Sequence, residues 1–330
     1  GGGTPSILKI NEIAEILDAI HRNYTVSKDP EITLEANPDD LVDPQSGTQG
    51  GSRTLFQEYR TIGINRLSIG IQSFFERDLR FMHRAHSSEQ AKACLLGAKT
   101  YFENLSVDLI YGVPGMSGAQ WRQNIATALS FGIPHISSYA LTVEPKTALA
   151  HWIKEGTVPD VDDARAQEHF YMLKDILEDK GFVHYEISNF GKPGFFSRNN
   201  TAYWQQRNYV GIGPSAHSYD GSNRMWNSKN NSKYIKALKQ DILPLEMENL
   251  SLTDRYNEYV MTGLRTLWGV SLDKIGAEFG FRYQEYLMAQ AQKHIAQHLL
   301  FWDGDVLRTT RKGTFFVDGL ASDLFMLNLS

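Results

Sequence analysis

Cysteine is almost missing from this chain: Cys94 is the single one in 330 residues. One thiol excludes an intrachain disulfide and fits a reducing, cytoplasmic setting. One thiolate also cannot by itself close a zinc site or hold an iron–sulfur cluster. Long apolar runs are missing too. No stretch approaches the ~18 residues of a membrane-spanning helix, which leaves membrane association at most peripheral. The opening GGGTPSILKI has neither the basic region nor the apolar region of a signal peptide. Charge of one sign is absent as well: 33 Lys+Arg stand against 38 Asp+Glu, a formal charge of −5. A duplex binder usually shows a basic face, so no nucleic-acid partner is expected. What is present is ordinary globular material, 42% hydrophobic and 22% charged, enough for a large core. The length suits about two domains, or one barrel of about 250 residues with an appendage.

Apolar, β-branched runs alternate with segments of helical period over the first two-thirds. Ile13, Ile16, Leu17 and Ile20 have the spacing of a one-faced helix with Asn11 at its N-cap. Strands are expected at 31–36, 65–72, 105–112, 135–142 and 182–188. Between them lie a polar, Gly-rich loop (43–53) and helices, among them one opened by a Ser87/Gln90 capping box, one over 119–130 and one over 163–180. Helix–strand alternation of this kind predicts parallel βαβ units with right-handed crossovers. Because the chain opens on glycines and a helix, a further strand is expected just before residue 1. After about residue 190 the rhythm changes to a connection rich in Gly and aromatics (191–250). Three helices, a hairpin over 302–317 and a last helix follow (251–330), a small α+β winged-helix-like module.

In a parallel barrel, chemistry sits at the carboxyl ends of the strands. The polar residues there are Glu35 and Asn37, Gln72 and Ser73, Asp108 and Tyr111, Tyr139 and Thr142, and Glu186 with Asn189. A polar group inside an apolar strand costs free energy unless something pairs with it, so these ends predict either internal hydrogen bonding or a ligand. The leading glycines read either as a remnant of added sequence or as bare backbone that a ligand can approach. GIGPSA (211–216) matches a loose G-x-G-x-x-A pattern, but no helical face follows, which argues against a nicotinamide site. His294 and His298 have zincin spacing without the catalytic Glu and read as a solvated helix face. Cys94, among Ala93, Leu95 and Leu96, reads as core. Phe195, Phe196, Tyr203, Trp204 and Tyr209, interleaved with Arg198 and Arg207, would suit a flat ligand carrying carboxylates, or would equally plug the open side of a barrel.

Seven blocks in order carry a resemblance: GGGTPS (1–6), EITLEANPDDL (31–41), GINRLSIGIQSF (63–74), HRAHSSEQA (83–91), VDLIYGVPG (107–115), HISSYALTVEPKT (135–147) and GIGPSAHSY (211–219). Together they resemble the radical S-adenosylmethionine (SAM) family of oxygen-independent coproporphyrinogen III oxidase and its relative, the radical-SAM haem chaperone. The resemblance implies a partial (β/α)6 barrel over 1–190 and a [4Fe–4S] cluster on a CxxxCxxC loop with SAM on the open iron. By motif, Gly2, Gly3 and Thr4 would meet the methionyl group, and Glu35, Gln72, Arg84, Asp108 and Ala140 would line SAM sites. The CxxxCxxC loop is not in these 330 residues and is expected to precede Gly1, so the chain as given is expected to hold no cluster. The haem-chaperone branch carries HNxxYW; here the segment is Asn199-Asn200-Thr201-Ala202-Tyr203-Trp204, and an amide cannot replace imidazole as an iron ligand. The implied activity is haem binding and delivery to an acceptor protein, with Asn200, Tyr203 and Trp204 at the haem. The alternative is oxidative decarboxylation of coproporphyrinogen III propionates in porphyrin biosynthesis.

Overall fold

The computed structural model describes residues 4–41 and 50–327, with backbone alone for 50–54. They form two compact units, Thr4–His184 with Ser188–Phe196, and Tyr185–Ile187 with the chain from Ser197 onward.

The first unit is built on a sheet. Its strands are β1 (Thr33–Ala36), β2 (Arg66–Gln72), β3 (Asn104–Tyr111), β4 (His135–Ala140), β5 (Val183–Glu186, of which Tyr185 and Glu186 are counted with the second unit) and β6 (Asn189–Gly191), in the order β1-β2-β3-β4-β6-β5. The pairs β1–β2, β2–β3 and β3–β4 are parallel, as the helical crossovers between them require. The expected strand at 182–188 does not follow β4 directly. The three-residue β6 returns antiparallel against β4, with Ser137 opposite Asn189, so the sheet is mixed rather than wholly parallel.

One side of β1–β4 is core. Leu34, Leu67, Ile69, Ile71, Leu105, Val107, Leu109 and Ile136 are all buried. Helices over Gly50–Thr61, Ser88–Tyr101, Gly118–Ser130 and Asp163–Asp179 supply buried Phe56, Tyr59, Leu95, Trp121, Ile125, Phe170 and Leu173. The helix 88–101 opens with the expected box: the Gln90 amide N–H donates to Ser87 Oγ, and the Ser87 N–H donates to Gln90 Oε1. Cys94 is buried in this helix, as its neighbours predict. Three expectations need correction. The first helix runs Ile10–Asn23 from Lys9, not Asn11, because Glu12 Oε2 accepts from the Lys9 N–H at 2.7 Å. Of its apolar row only Ile13 is buried, and Ile16 is half exposed. The loop foreseen over 43–53 is helical from Gly50; residues 42–49 lie outside the described ones.

In the second unit, the Gly- and aromatic-rich connection folds into a helix (Arg198–Trp204) and an antiparallel sheet that composition did not suggest. Its strands are β7 (His217–Tyr219), β8 (Asn223–Asn227) and β9 (Leu245–Asn249), with β8 central and helix Asn231–Leu238 between β8 and β9. Helices over Leu252–Leu264, Leu272–Phe279 and Phe281–Ala296 pack Tyr256, Val260, Ile275 and Leu287 together. A second small sheet adds β10 (Val270–Ser271), β11 (Leu300–Asp303) and β12 (Val306–Thr309) in the order β10-β12-β11. The hairpin ends at Thr309, earlier than expected, because Thr310 caps a short helix. His294 is buried and paired with Asp323 Oδ2 at 3.1 Å, so the solvated face expected for it is wrong, while His298 has left the helix at φ +57°.

Trp121 ties the sheet to two helices. It is fully buried, meets the Tyr111 ring at a tilt of 43° with centroids 5.8 Å apart, and donates from Nε1 to the His169 carbonyl at 2.9 Å. Trp121→Ala is expected to cost about 3–5 kcal/mol in urea unfolding, the range for deleting a buried aromatic. A loss below about 1 kcal/mol would show that this side is not a close-packed core.

Candidate functional site

The opposite side of β1–β4 is polar, and the alternation of side chains along each strand makes it so. β2 turns Arg66, Ser68 and Gly70 to this face, and past a register shift between Ile69 and Gln72 the Gln72 amide comes up beside Gly70; β3 turns Asn104, Ser106 and Asp108; β4 turns His135, Ser137 and Tyr139; β1 turns Thr33 and Glu35. The registers Glu35↔Ser68, Ser68↔Ser106 and Asp108↔Ser137 bring these groups side by side. Ser68 Oγ donates to Asp108 Oδ1 at 3.4 Å, Ser137 Oγ donates to Asn189 Oδ1 at 2.6 Å, and Ser106 Oγ bonds His135 Nδ1 at 2.6 Å. Burial and nearby Arg66 hold His135 well below its ordinary pKa, so it is neutral.

Asp108 is the electrostatic centre. Burial, then the charge of Glu35, raise its carboxyl to about 6, against hydrogen bonds from Ser137 and Ser68 and the charge of Arg66. Glu35 itself is exposed on the same face. Arg84, half-buried, is drawn below the usual guanidinium value by burial and held up by the charges of Asp108 and Asp39. The face therefore offers two carboxylates, the buried Arg66 guanidinium beneath them and the more accessible Arg84 beside them, a set for ammonium, hydroxyl and carboxylate groups of a ligand.

At the carboxyl end of β1 and β2 the chain is held tightly. Asn37 Nδ2 donates to Thr4 Oγ1 at 3.2 Å, and the Asn37 N–H donates to Ser6 Oγ at 3.3 Å. Gln72 takes φ +65°, a left-handed conformation rare outside glycine. A Cβ on Gly70 would stand 2.9 Å from Gln72 Nε2 and 3.3 Å from Asn37 Oδ1, so glycine keeps this cradle open. The turn behind it is fixed from below. Ser73 Oγ donates to Asp78 Oδ2 at 2.9 Å, the Phe74 N–H donates to Asn124 Oδ1 at 2.7 Å, and His86 Nε2 donates to the Ile71 carbonyl at 3.1 Å.

Thr4, Glu35, Asn37, Gln72 and Asp108 thus belong to one face or its rim, and Arg84 is within electrostatic reach of it. Four expected residues go elsewhere. Tyr111 points to the core side against Trp121, and Ser73 is buried and paired internally. Ala140 points by alternation to the helix side, leaving only backbone for a ligand. Glu186 is buried and falls in the second unit, where it bridges Thr266. Gly2 and Gly3 lie outside the described residues. Sequence reading missed Ser68, Ser106, His135 and Ser137, although the polar period of two in RLSIGIQ, NLSVDLIY and HISSYA signals them.

In the second unit, Tyr203 is 45% exposed and meets Tyr209 edge-on at 4.4 Å, while Trp204 lies over Arg265 at 5.6 Å. Arg265 grips Asp318 with two nitrogens, at 2.9 and 3.1 Å, which fixes the platform under Trp204. Asn200 is half-buried, its N–H donating to Ser197 Oγ at 3.2 Å. Tyr203, Trp204, Tyr209, Tyr219 and the Arg224–Glu258 pair line a cavity of about 170 Å³. That is smaller than the ~300–1,000 Å³ of pockets that engulf a ligand of drug size. Among the described residues no group of three His, Cys, Asp or Glu could hold a metal, and no helix is long and apolar enough to cross a membrane.

With this geometry in place the comparisons are specific. Residues 1–128 match the radical SAM superfamily, and residues 250–316 match the HemN C-terminal domain. The fold is that of coproporphyrinogen III oxidase (HemN) from Escherichia coli, a radical SAM enzyme, at TM-score 0.82 and 19% identity over 99% of this chain and 76% of that one. Heme chaperone HemW of Mycobacterium tuberculosis is 33% identical over 98% of this chain and 79% of its own length. Those of Bacillus subtilis and Escherichia coli are 32% and 30% identical, over 90% and 99% of this chain and 76% and 82% of their own lengths. The architecture is that of a radical SAM protein with a HemN-type C-terminal domain. Within that class, the chain belongs to the family of heme chaperone HemW.

The superfamily implies SAM and a [4Fe–4S] cluster. The donor set of the polar face fits SAM. The cluster is a different matter: the one thiol, Cys94, is fully buried in a helix, where burial raises its pKa far above the ordinary thiol value. The described residues do not fit an iron–sulfur cluster.

The raised Asp108 carboxyl has a stability signature. Between about pH 4 and pH 6 the folded state binds more protons than the unfolded chain, so stability falls as pH rises through that window. Asp108→Asn is expected to remove this fall, stabilising the protein at pH 7 relative to wild type by roughly 1–3 kcal/mol while leaving pH 4 nearly unchanged. Urea unfolding at both pH values checks this; parallel profiles for the two proteins would place Asp108 in solvent.

Proposed function

We propose that this chain binds haem and passes it to a haem-requiring acceptor protein, with SAM held on the polar face of β1–β4. The observation that carries the reading is the likeness to heme chaperones named HemW over nearly the whole chain, 98% of it in the Mycobacterium tuberculosis case. In this reading the residues 1–190 are the SAM-binding part, 191–250 the connection and 251–330 the C-terminal module. SAM brings a sulfonium, an amino-acid head and a ribose. Glu35 and Asp108 suit its ammonium and hydroxyl groups, and Arg84 suits its carboxylate. Thr4 and Gln72 border the Gly70 cradle, and the Ala140 backbone completes the rim, with Gly2 and Gly3 assigned by motif alone. Desolvation of Asp108 strengthens any charge contact made there.

Haem is the cargo. Tyr203 and Trp204 offer ring faces fixed by Tyr209 and Arg265, and Asn200 an amide beside them. The small cavity supports haem lying against this surface along one edge rather than being enclosed. A flat, partly open seat suits a protein that must release what it binds. Asn199, exposed at the start of helix Arg198–Trp204, supplies no imidazole, so the iron ligand is sought elsewhere.

The test is a hemin titration followed at the Soret band. The wild-type chain is expected to bind hemin in a defined stoichiometry, and Trp204→Ala to weaken it about three- to tenfold, the worth of one aromatic contact. Equal affinity in that variant would remove the aromatic stretch from the site; no stoichiometric binding by the wild type would end the haem reading.

A further inference from the structure

A cavity of the second unit, about 690 Å³, neighbours the aromatic stretch without sharing a lining residue with its small cavity and is lined by His217, Trp226, Asn227, Lys229, Lys233 and Glu246 among others. The antiparallel register builds it. His217 of β7 stands opposite Trp226 of β8, and Trp226 stands opposite Glu246 of β9, so the three form one cross-strand row. The two rings are 6.3 Å apart and tilted by 36°, and Trp226 Nε1 donates to Glu246 Oε2 at 3.0 Å, which engages that carboxylate. Lys229 and Lys233 flank the start of helix Asn231–Leu238, where Asn230 Oδ1 accepts from the Lys233 N–H at 2.9 Å. Both lysines are exposed, and among the described residues neither forms an ion pair. His217 is exposed too.

The GIGPSA loop frames this cavity, which gives that segment a purpose other than nucleotide binding. Asn227 Nδ2 donates to the carbonyls of Gly211 and Gly213, at 3.2 and 2.8 Å, and the Gly211 N–H donates to Ser218 Oγ at 2.9 Å. A Cβ on Gly211 would come within 2.1 Å of the His217 carbonyl oxygen, so only glycine lets the loop lie this close behind the histidine. Ser215 is held at φ +61°, local strain placed at the cavity wall.

An accessible imidazole beside an indole face, with two unpaired ammonium groups nearby, is the donor set for a flat ring that carries a metal and carboxylates. We propose that this cavity seats the haem, with the His217 imidazole as axial ligand to the iron, Trp226 against the macrocycle and Lys229 with Lys233 on the propionates. The assignment rests on the haem-binding reading above and supplies the ligand that Asn199 cannot. It also joins the aromatic surface to the same seat: two-residue alternation puts Tyr219 of the 170 Å³ cavity on the same face of β7 as His217.

Two probes separate the parts, hemin and metal-free protoporphyrin IX, titrated into wild type, His217→Ala and the double variant Lys229→Glu/Lys233→Glu. His217→Ala is expected to shift the Soret band of the hemin complex and weaken hemin about tenfold or more, with protoporphyrin IX changed less than about twofold. The lysine pair is expected to weaken both probes about tenfold without moving the Soret band. All three positions are exposed, and unchanged far-UV dichroism verifies the fold. If the wild type binds hemin while His217→Ala keeps its Soret position and affinity, the axial assignment is overturned and the haem reading stands. If the lysine variant binds both probes as wild type does, the cavity is not the seat. If the wild type binds no hemin, the haem reading fails and this assignment fails with it.

Discussion

Strand alternation is the constraint on which the rest depends. A parallel sheet whose crossovers cover it with helices normally buries both faces and reads as continuous apolar runs. Here every second residue of β2 and β3 is apolar, as are Ile136 and Ala140 of β4, and the residues between include Ser68, Ser106, Asp108, His135 and Ser137. One face is closed by Trp121, Phe170 and their neighbours; the other must satisfy its polar groups among themselves or with a ligand. Hydroxyls do much of this internally, through Ser68 to Asp108 and Ser137 to Asn189. The carboxylate of Asp108 remains desolvated beside Glu35, with its pKa shifted in the manner that marks binding and catalytic sites.

The rigid side serves the polar one. The turn after β2 places Gln72 in a left-handed conformation, and that strain is sustained by buried Ser73, Asp78, Asn124 and His86 beneath it. A ligand at the strand ends thus meets groups already positioned, which lowers the ordering cost of binding. The second unit works differently. Its candidate surface is assembled from short strands and exposed rings rather than a buried charge, which suits cargo that is held and then released.

Much of this was legible in the sequence, because strong local signals and global fold agree. β1 to β4 fall within three residues of their expected ends, and the Ser87/Gln90 box and the Cys94 core position follow from local chemistry alone. What failed did so for identifiable reasons. Three residues, Asn189–Gly191, are too few to carry a periodic signal, so the antiparallel strand that makes the sheet mixed was invisible. Tyr111 was grouped with the site by position along the strand, though the period of two sends it to the other face, as it does Ala140, which only the resemblance had assigned. The β7–β8–β9 sheet hid in a stretch whose glycines suggested only turns. His294 looked solvated because its partner, Asp323, lies far away in sequence. The SAM assignments came from ordered motifs resembling a family, since no spacing rule singles out Arg84.

Hydrogen–deuterium exchange of the protein with and without SAM addresses the central claim most directly, that the polar face of β1–β4 is a ligand-binding face. The account predicts slower exchange in peptides spanning 33–37, 68–73, 106–112 and 135–142, with the second unit unchanged. Binding of SAM accompanied by protection elsewhere and none in those four segments would contradict it.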